Sequence, residues 1–289
     1  MMVTIGQALA DARTQLSEVS ESPQLEARLF LSEILQQSTA WLFSHPEVEL
    51  SPDQSQQFIA MISQRATGYP VAYILGKRGF YHWDFRVSPD VLIPRPETEL
   101  LVEKAAAWAK NHASEDQGLK IVDVGTGSGI IAIALAQLLP QSDVIAIDIS
   151  PKALAVAQNN AAQLQTPNIH FLNGNLLEPL SPNTPIDLIT ANLPYIPTDE
   201  LKTLSVSRWE PQLALDGGAD GLLLIQQLLQ QSLHYLKVGG SIVLEIGADQ
   251  GFAVTQLAYK IFPNAELNVY QDLAGFDRVV IIDNRETFL

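Results

Sequence analysis

The chain has 289 residues, 47 % hydrophobic and 17 % charged, with a net charge of −15, which is globular composition with room for one large domain or two modest ones. Lys and Arg number 5 against 8 Asp and Glu in residues 1–78, and 12 against 24 beyond, so both parts are acidic and neither suits a phosphate backbone. The absence of Cys excludes a disulfide framework and thiolate metal sites, and the five His have no metal-ligand spacing.

The opening MMVTIGQALADARTQ has no basic region leading into an apolar core, so no signal peptide is expected. The most apolar run, GIIAIALAQLLP, is too short to cross a bilayer, and a soluble cytoplasmic protein with no membrane partner is expected. Residues 1–78 read as a small helical bundle. Ile5, Leu9 and Leu16 recur at helical spacing behind a Thr4 cap, and Leu25, Leu29, Ile34 and Leu35 do so behind Ser22 and Pro23. A third helix is expected from a Ser51 cap to a stop at Gly68. The aromatic stretch Gly79–Val87 breaks that period and reads as a β-hairpin, within a linker spanning 79–91. A helix opening at Pro96 follows, with Glu97 and Glu99 complementing its dipole.

Residues 92–289 then alternate. KIVDVG, DVIAIDI, NIHFLNG, IDLITAN, GSIVLEIG, AELNVYQ and DRVVIIDN read as strands, most of them separated by helical segments. The fold class is therefore α/β, a doubly wound, mostly parallel seven-stranded sheet of Rossmann-like form. The last two strands have no helix between them, so one of them is expected to run antiparallel.

The stretch IVDVGTGSGIIAIALA runs strand, glycine loop, helix. Gly125, Gly127 and Gly129, with Thr126 and Ser128, let backbone amides approach a ligand at the strand ends. The dinucleotide fingerprint calls for Gly or Ala where Ile130 stands, which counts against a nicotinamide cofactor. Asp148 ends the second strand, where a carboxylate can accept both hydroxyls of a ribose. With no phosphate-binding lysine motif, glycine loop and carboxylate together suggest S-adenosylmethionine, whose ammonium Asp123 would suit.

The fourth strand ends on Asn192-Leu193-Pro194-Tyr195. A sheet wound both ways from its first strand brings this end beside the glycine loop. Asn192 offers an acceptor and a donor. Leu193, before a proline, is biased toward extended geometry that projects its carbonyl. Pro194 adds no competing donor, and Tyr195 offers a flat wall. Such a site would hold a planar nitrogen by accepting its N–H groups.

That tetrapeptide resembles the [DNS]-P-P-[YFW] motif of methyltransferases acting on planar nitrogens. The chain as a whole resembles the peptide chain release factor glutamine N(5)-methyltransferases, the HemK-type family. The likeness rests on LIPRPETEL (Leu92–Leu100), VDVGTGSGIIAIALA (Val122–Ala136), ANLPYIP (Ala191–Pro197), EPQLALDGGADGL (Glu210–Leu222), LEIGADQG (Leu244–Gly251) and DLAGFDRVV (Asp272–Val280). It implies a class I methyltransferase domain behind an N-terminal domain that docks the substrate. It also implies methyl transfer from S-adenosylmethionine to the glutamine of a Gly-Gly-Gln loop in a release factor. A monomer with no direct nucleic-acid partner is expected. By resemblance, Gly125 to Gly129 line the cofactor, Asp148 holds its ribose, and Leu176 lies against adenine where the family often has an aromatic residue. Asn192 to Tyr195 grip the glutamine, with Leu193 where the family usually has Pro. Two other readings remain, a nucleic-acid exocyclic-amine methyltransferase, which the acidic charge disfavours, and a non-catalytic cofactor-binding module.

Overall fold

The computed structural model describes residues 3–113, 118–182 and 184–285; residues 1 and 289, the outer ends of the two expected domains, lie outside them. The chain divides into two compact units, Met1–Lys77 and Arg78–Leu289.

The first unit is helical: α1 (Ile5–Leu16), α2 (Pro23–Leu35), α3 (Thr39–Ser44), α4 (Pro52–Ala66) and α5 (Val71–Leu75). Thr4 and Ser51 close reciprocal capping boxes with Gln7 and Gln54, which satisfy amides at both helix starts. Ser22, expected to cap α2, makes no side-chain cap bond, and Pro23 alone marks that start. Gly68, at φ +89°, stands just beyond the end of α4. The buried face of α2 is Ala27, Phe30 and Leu31, while Leu25 and Leu29, expected inside, are exposed. Large aromatic volume at Phe30 sets which face turns inward. Ile5, Leu16, Leu42, Leu50, Phe58 and Ile62 complete the core. The helices α3 and α5 are too short for periodicity to announce them.

The second unit begins with the hairpin of β1 (Lys77–Phe80) and β2 (Trp83–Arg86). Phe80 and Phe85 are buried in the unit's core, and the side chain of Asn160 accepts from Arg86 N (2.8 Å) while donating to Arg86 O (3.0 Å). Then come α6 (Thr98–His112), β3 (Lys120–Val124), α7 (Ile130–Leu138), β4 (Asp143–Asp148), α8 (Pro151–Gln163), β5 (Ile169–Asn173) and β6 (Ile186–Ala191). The remainder is α9 (Thr198–Leu201), α10 (Leu223–Ser232), β7 (Leu236–Glu245), α11 (Gly251–Ile261), β8 (Glu266–Gln271) and β9 (Asp277–Asp283). The helix α6 opens two residues later than expected, because Arg95–Glu97 form a tight turn, with Thr98 N donating to Arg95 O.

The seven strands lie in the order β5-β4-β3-β6-β7-β9-β8. The first five in sequence pair in parallel, and β9 runs antiparallel between β7 and β8. Side chains alternate across the sheet. Ile121, Val144, Ala146 and Leu188 face the side of α6 and α7, while Val122, Ile147, Ile189 and Leu244 face that of α10 and α11. Both faces are covered, which is why the central strands read as unbroken apolar runs. No helix of the described residues is long and apolar enough to cross a membrane.

Candidate active site

β3 has β4 on one side and β6 on the other. Chain leaving the ends of β3 and β6 must diverge there, and a crevice opens at the carboxyl edge of the sheet. Three strand ends bring the candidate residues to it.

Beyond β3, Gly125, Gly127 and Gly129 take φ of +71°, +56° and +85°, conformations that only glycine adopts freely. Gly125 N and Thr126 N both donate to Ile147 O, at 2.9 and 3.0 Å, folding the loop over β4. At the end of β4, Asp148 accepts from Gly127 N on Oδ2 and from Ser150 N on Oδ1, each at 2.8 Å. Every carboxylate oxygen has more than one lone pair, so both retain acceptor capacity. Burial raises the pKa of Asp148, against the opposing pull of these amides.

Beyond β6, Asn192 and Leu193 come close to the glycine loop. A Cβ placed on Gly125 would lie 3.1 Å from Leu193 Cδ2 and 3.8 Å from Asn192 O. Asn192 Nδ2 donates to Thr98 Oγ1 at 3.2 Å.

Gly125, Thr126, Gly127, Ser128, Asp148, Leu176, Asn192, Leu193 and Pro194 all line one cavity with about 1100 Å³ of empty space, its open mouth included. Leu176 reaches the wall at φ +49°, an uncommon conformation for a residue with a Cβ. Pro94, Arg95 and Thr98, and Pro211, Leu213 and Ala214, also line it. Glu210, 6 % exposed, ties these segments together, accepting from Arg95 Nη2 at 2.5 Å and from Ile93 N at 2.9 Å.

Two candidates stay off the wall. Gly129 caps the start of α7, where a Cβ would come within 3.0 Å of Ile133 Cδ1 and 3.1 Å of Ala157 Cβ, so packing adds to the requirement its φ sets. Tyr195 is half-buried behind Pro194, its carbonyl accepting from Gln250 Nε2 at 3.0 Å. Burial, then the charge of Glu245, pushes its phenol up to about 12. No aromatic side chain lines the cavity among the described residues. Asp123, expected to suit an ammonium group, is not on this wall either. It is fully buried, off the wall, and accepts from Thr190 Oγ1 at 3.0 Å, and burial pushes its carboxyl up to about 6.

Sequence reasoning passed over Arg95, Thr98, Glu210, Glu245, Asn160 and Gln250. Five of them, Arg95, Thr98, Glu210, Glu245 and Gln250, sit within motifs already quoted, but nothing local assigns them a task. Asn160, wholly buried on α8, donates to Ser128 O at 2.8 Å and so couples the glycine loop to the hairpin.

Residues 7–76 match the PrmC N-terminal domain, and residues 115–230 match a methyltransferase domain. A release factor glutamine methyltransferase of Coxiella burnetii is 38 % identical over 97 % of this chain and 99 % of its own. Another, of Moorella thermoacetica, is 41 % identical over 98 % of this chain and all of its own. The crystal structure of a methyltransferase from Pyrococcus furiosus shares the fold, with a TM-score of 0.53 over 72 % of this chain and 92 % of that one at 13 % identity. Sequence likeness of this extent, carried by both units, makes the chain a member of the release factor glutamine methyltransferase family.

Proposed function

We propose that the chain transfers a methyl group from S-adenosylmethionine to the side-chain amide nitrogen of the glutamine in a Gly-Gly-Gln loop of a translation release factor. The observation carrying this reading is that the glycine loop, Asp148 and Asn192 line a single cavity.

The residues suit that cofactor. The three positive-φ glycines let it approach the backbone without a Cβ between, and Asp148 has acceptor capacity for a ribose diol. Leu176 offers an aliphatic surface for a purine. When bound, the cofactor supplies a strongly electrophilic methyl, so the task left to the chain is positioning. Asn192 Oδ1 and the Leu193 carbonyl accept the two N–H groups of the glutamine amide and aim its nitrogen. Both bonds strengthen as that nitrogen gains positive charge, which is preferential transition-state binding. Pro194 keeps a competing donor out of the position between them.

The helical first unit docks the protein substrate, and the enzyme works as a monomer in the cytoplasm. A nucleic-acid substrate is disfavoured by the net charge of −15 and by the pairing of the cavity's Arg95 to Glu210. The test is incubation with labelled S-adenosylmethionine and, separately, release factor, duplex DNA and RNA. Label on the release factor, lost in Asn192→Ala while cofactor binding persists, supports the reading. Label on nucleic acid alone, or binding with no transfer, overturns it.

A further inference from the structure

Asn192 can present either its oxygen or its NH2 to the cavity, and only the oxygen accepts N–H groups from a substrate amide. Something must select that orientation. β6 and β7 pair in parallel up to Ala191 and Leu244, so Asn192 and Glu245 stand side by side where the two strands end. Glu245 is 2 % exposed, off the cavity wall, and Thr98 is fully buried. Glu245 makes no salt bridge among the described residues, and its Oε2 has no hydrogen-bond partner. The nearest cation, Arg278, is taken up by Asp272 and the Ile246 carbonyl, at 3.2 Å each. An ionised carboxylate in such surroundings is expensive, and the neighbouring groups that favour it compensate only in part.

We infer that Glu245 is a positioning residue, whose buried carboxylate fixes the Asn192 amide through the Thr98 hydroxyl so that Oδ1 faces the cavity. The logic is one of hydrogen-bond polarity. An ionised carboxylate only accepts. The Thr98 hydroxyl therefore donates to Glu245, its lone pairs are left to accept, and it receives Asn192 Nδ2 at 3.2 Å. Hydrogen bonding from Thr98 and Asn192 favours the ionised form, but burial outweighs it and raises the pKa to about 7. Of the charged groups facing Glu245, Arg278 on β9 lowers that value and Glu97 before α6 raises it; Tyr195, its phenol at about 12, stays neutral through this range. Protonated, Glu245 can itself donate to Thr98, and the amide loses its imposed direction.

The role rests on the proposed reaction, yet the orientation can be read without turnover. In full-length protein with ¹⁵N-labelled Asn, the Asn192 NH2 signals, assigned by their loss in Asn192→Ala, shift with pH through a midpoint near 7. They do not shift in Glu245→Gln or in Thr98→Val. Signals that ignore pH, or that titrate equally in Glu245→Gln, overturn the inference. In transfer assays, wild-type kcat falls about tenfold per pH unit below the midpoint, with the KM for cofactor unchanged. Glu245→Gln, which like the protonated acid offers both a donor and an acceptor, flattens that limb at the level the wild type reaches when Glu245 is protonated, about tenfold or more below the plateau; Glu245→Leu loses at least as much at every pH. A wild-type limb retained in Glu245→Gln counts against the inference. Titrating Asn192 signals in a protein that leaves release factor unmethylated would reject the proposed substrate and keep the positioning.

Discussion

The ends of β3 and β6 are neighbours on one edge and share one cavity, yet they are built by opposite means. The β3 end is backbone: three glycines at positive φ, with loop amides spent on Ile147 O and Asp148. The β6 end is side chain: an Asn whose amide is oriented from behind by Thr98. A backbone site tolerates little change of residue but needs no support, since glycine alone permits its shape. A side-chain site can be turned the wrong way, so it needs buried polar groups to hold it. Substitutions at the two ends should therefore fail differently, the first in cofactor binding or folding, the second in rate.

The sharpest contrast is Asn192→Ala. It removes an acceptor for the substrate while leaving the glycine loop intact. Transfer should fall about a thousandfold, with cofactor affinity by calorimetry within about threefold of wild type. Comparable loss of cofactor binding would mean that the two ends are one structural unit. At the other end, Gly129→Val brings branched carbon to a position where even a Cβ would lie 3.0 Å from Ile133 Cδ1 and 3.1 Å from Ala157 Cβ, at φ +85°. Denaturant unfolding should show a loss of about 3 kcal/mol, more than for Gly127→Ala, where a Cβ meets nothing nearer than 4.0 Å.

The same contrast explains what could be read in advance. The sheet was legible because each strand is a short β-branched run between helical periods, and the adjacency of β3 and β6 follows from winding both ways from the first strand. Gly125 to Ser128, Asp148 and Asn192 were legible because they stand directly after strands, where ligands bind in such sheets. Thr98 and Asn192 are 94 residues apart, and their bond exists only because α6 starts beside the end of β6. No local pattern carries that information. The setting of Tyr195 was illegible for the same reason: its motif fixes sequence, while Gln250 on the approach to α11 holds its carbonyl, and the residue does not line the cavity. In the first unit, Leu25 and Leu29 had helical spacing, but Phe30 claimed the inward face.

Asp148→Asn probes the backbone end at its one charged member. The variant keeps an oxygen for a single amide and presents NH2 where Gly127 N or Ser150 N now donates. Donor then faces donor, and a ribose diol loses one acceptor. Cofactor affinity should weaken about tenfold to thirtyfold, roughly 2 kcal/mol, while the rate at saturating cofactor changes little. A variant that binds normally but turns over slowly would place Asp148 with the rate-determining end.

The smallest effect is expected between the two ends, where Asp123 of β3 faces Thr190 of β6 across the sheet and accepts its hydroxyl at 3.0 Å. Burial raises the folded pKa of Asp123 from 3.8 to about 6, so the native state binds its proton more tightly than the unfolded chain does. Its contribution to stability is thus fully present below pH 3.8 and is lost as pH rises through about 6. Asp123→Asn, neutral throughout, should escape that loss and retain an oxygen for Thr190. Its NH2, however, replaces Oδ2, which has no partner, and an unpaired buried amide offsets part of the gain. The net gain at pH 8 should be about 1 kcal/mol, or roughly 2–4 °C in Tm, falling to nothing or reversing at pH 3.5. Equal thermal shifts at both pH values would show that Asp123 holds its proton no more tightly in the folded protein than in the unfolded chain, and that the joint between the two ends carries no burial penalty.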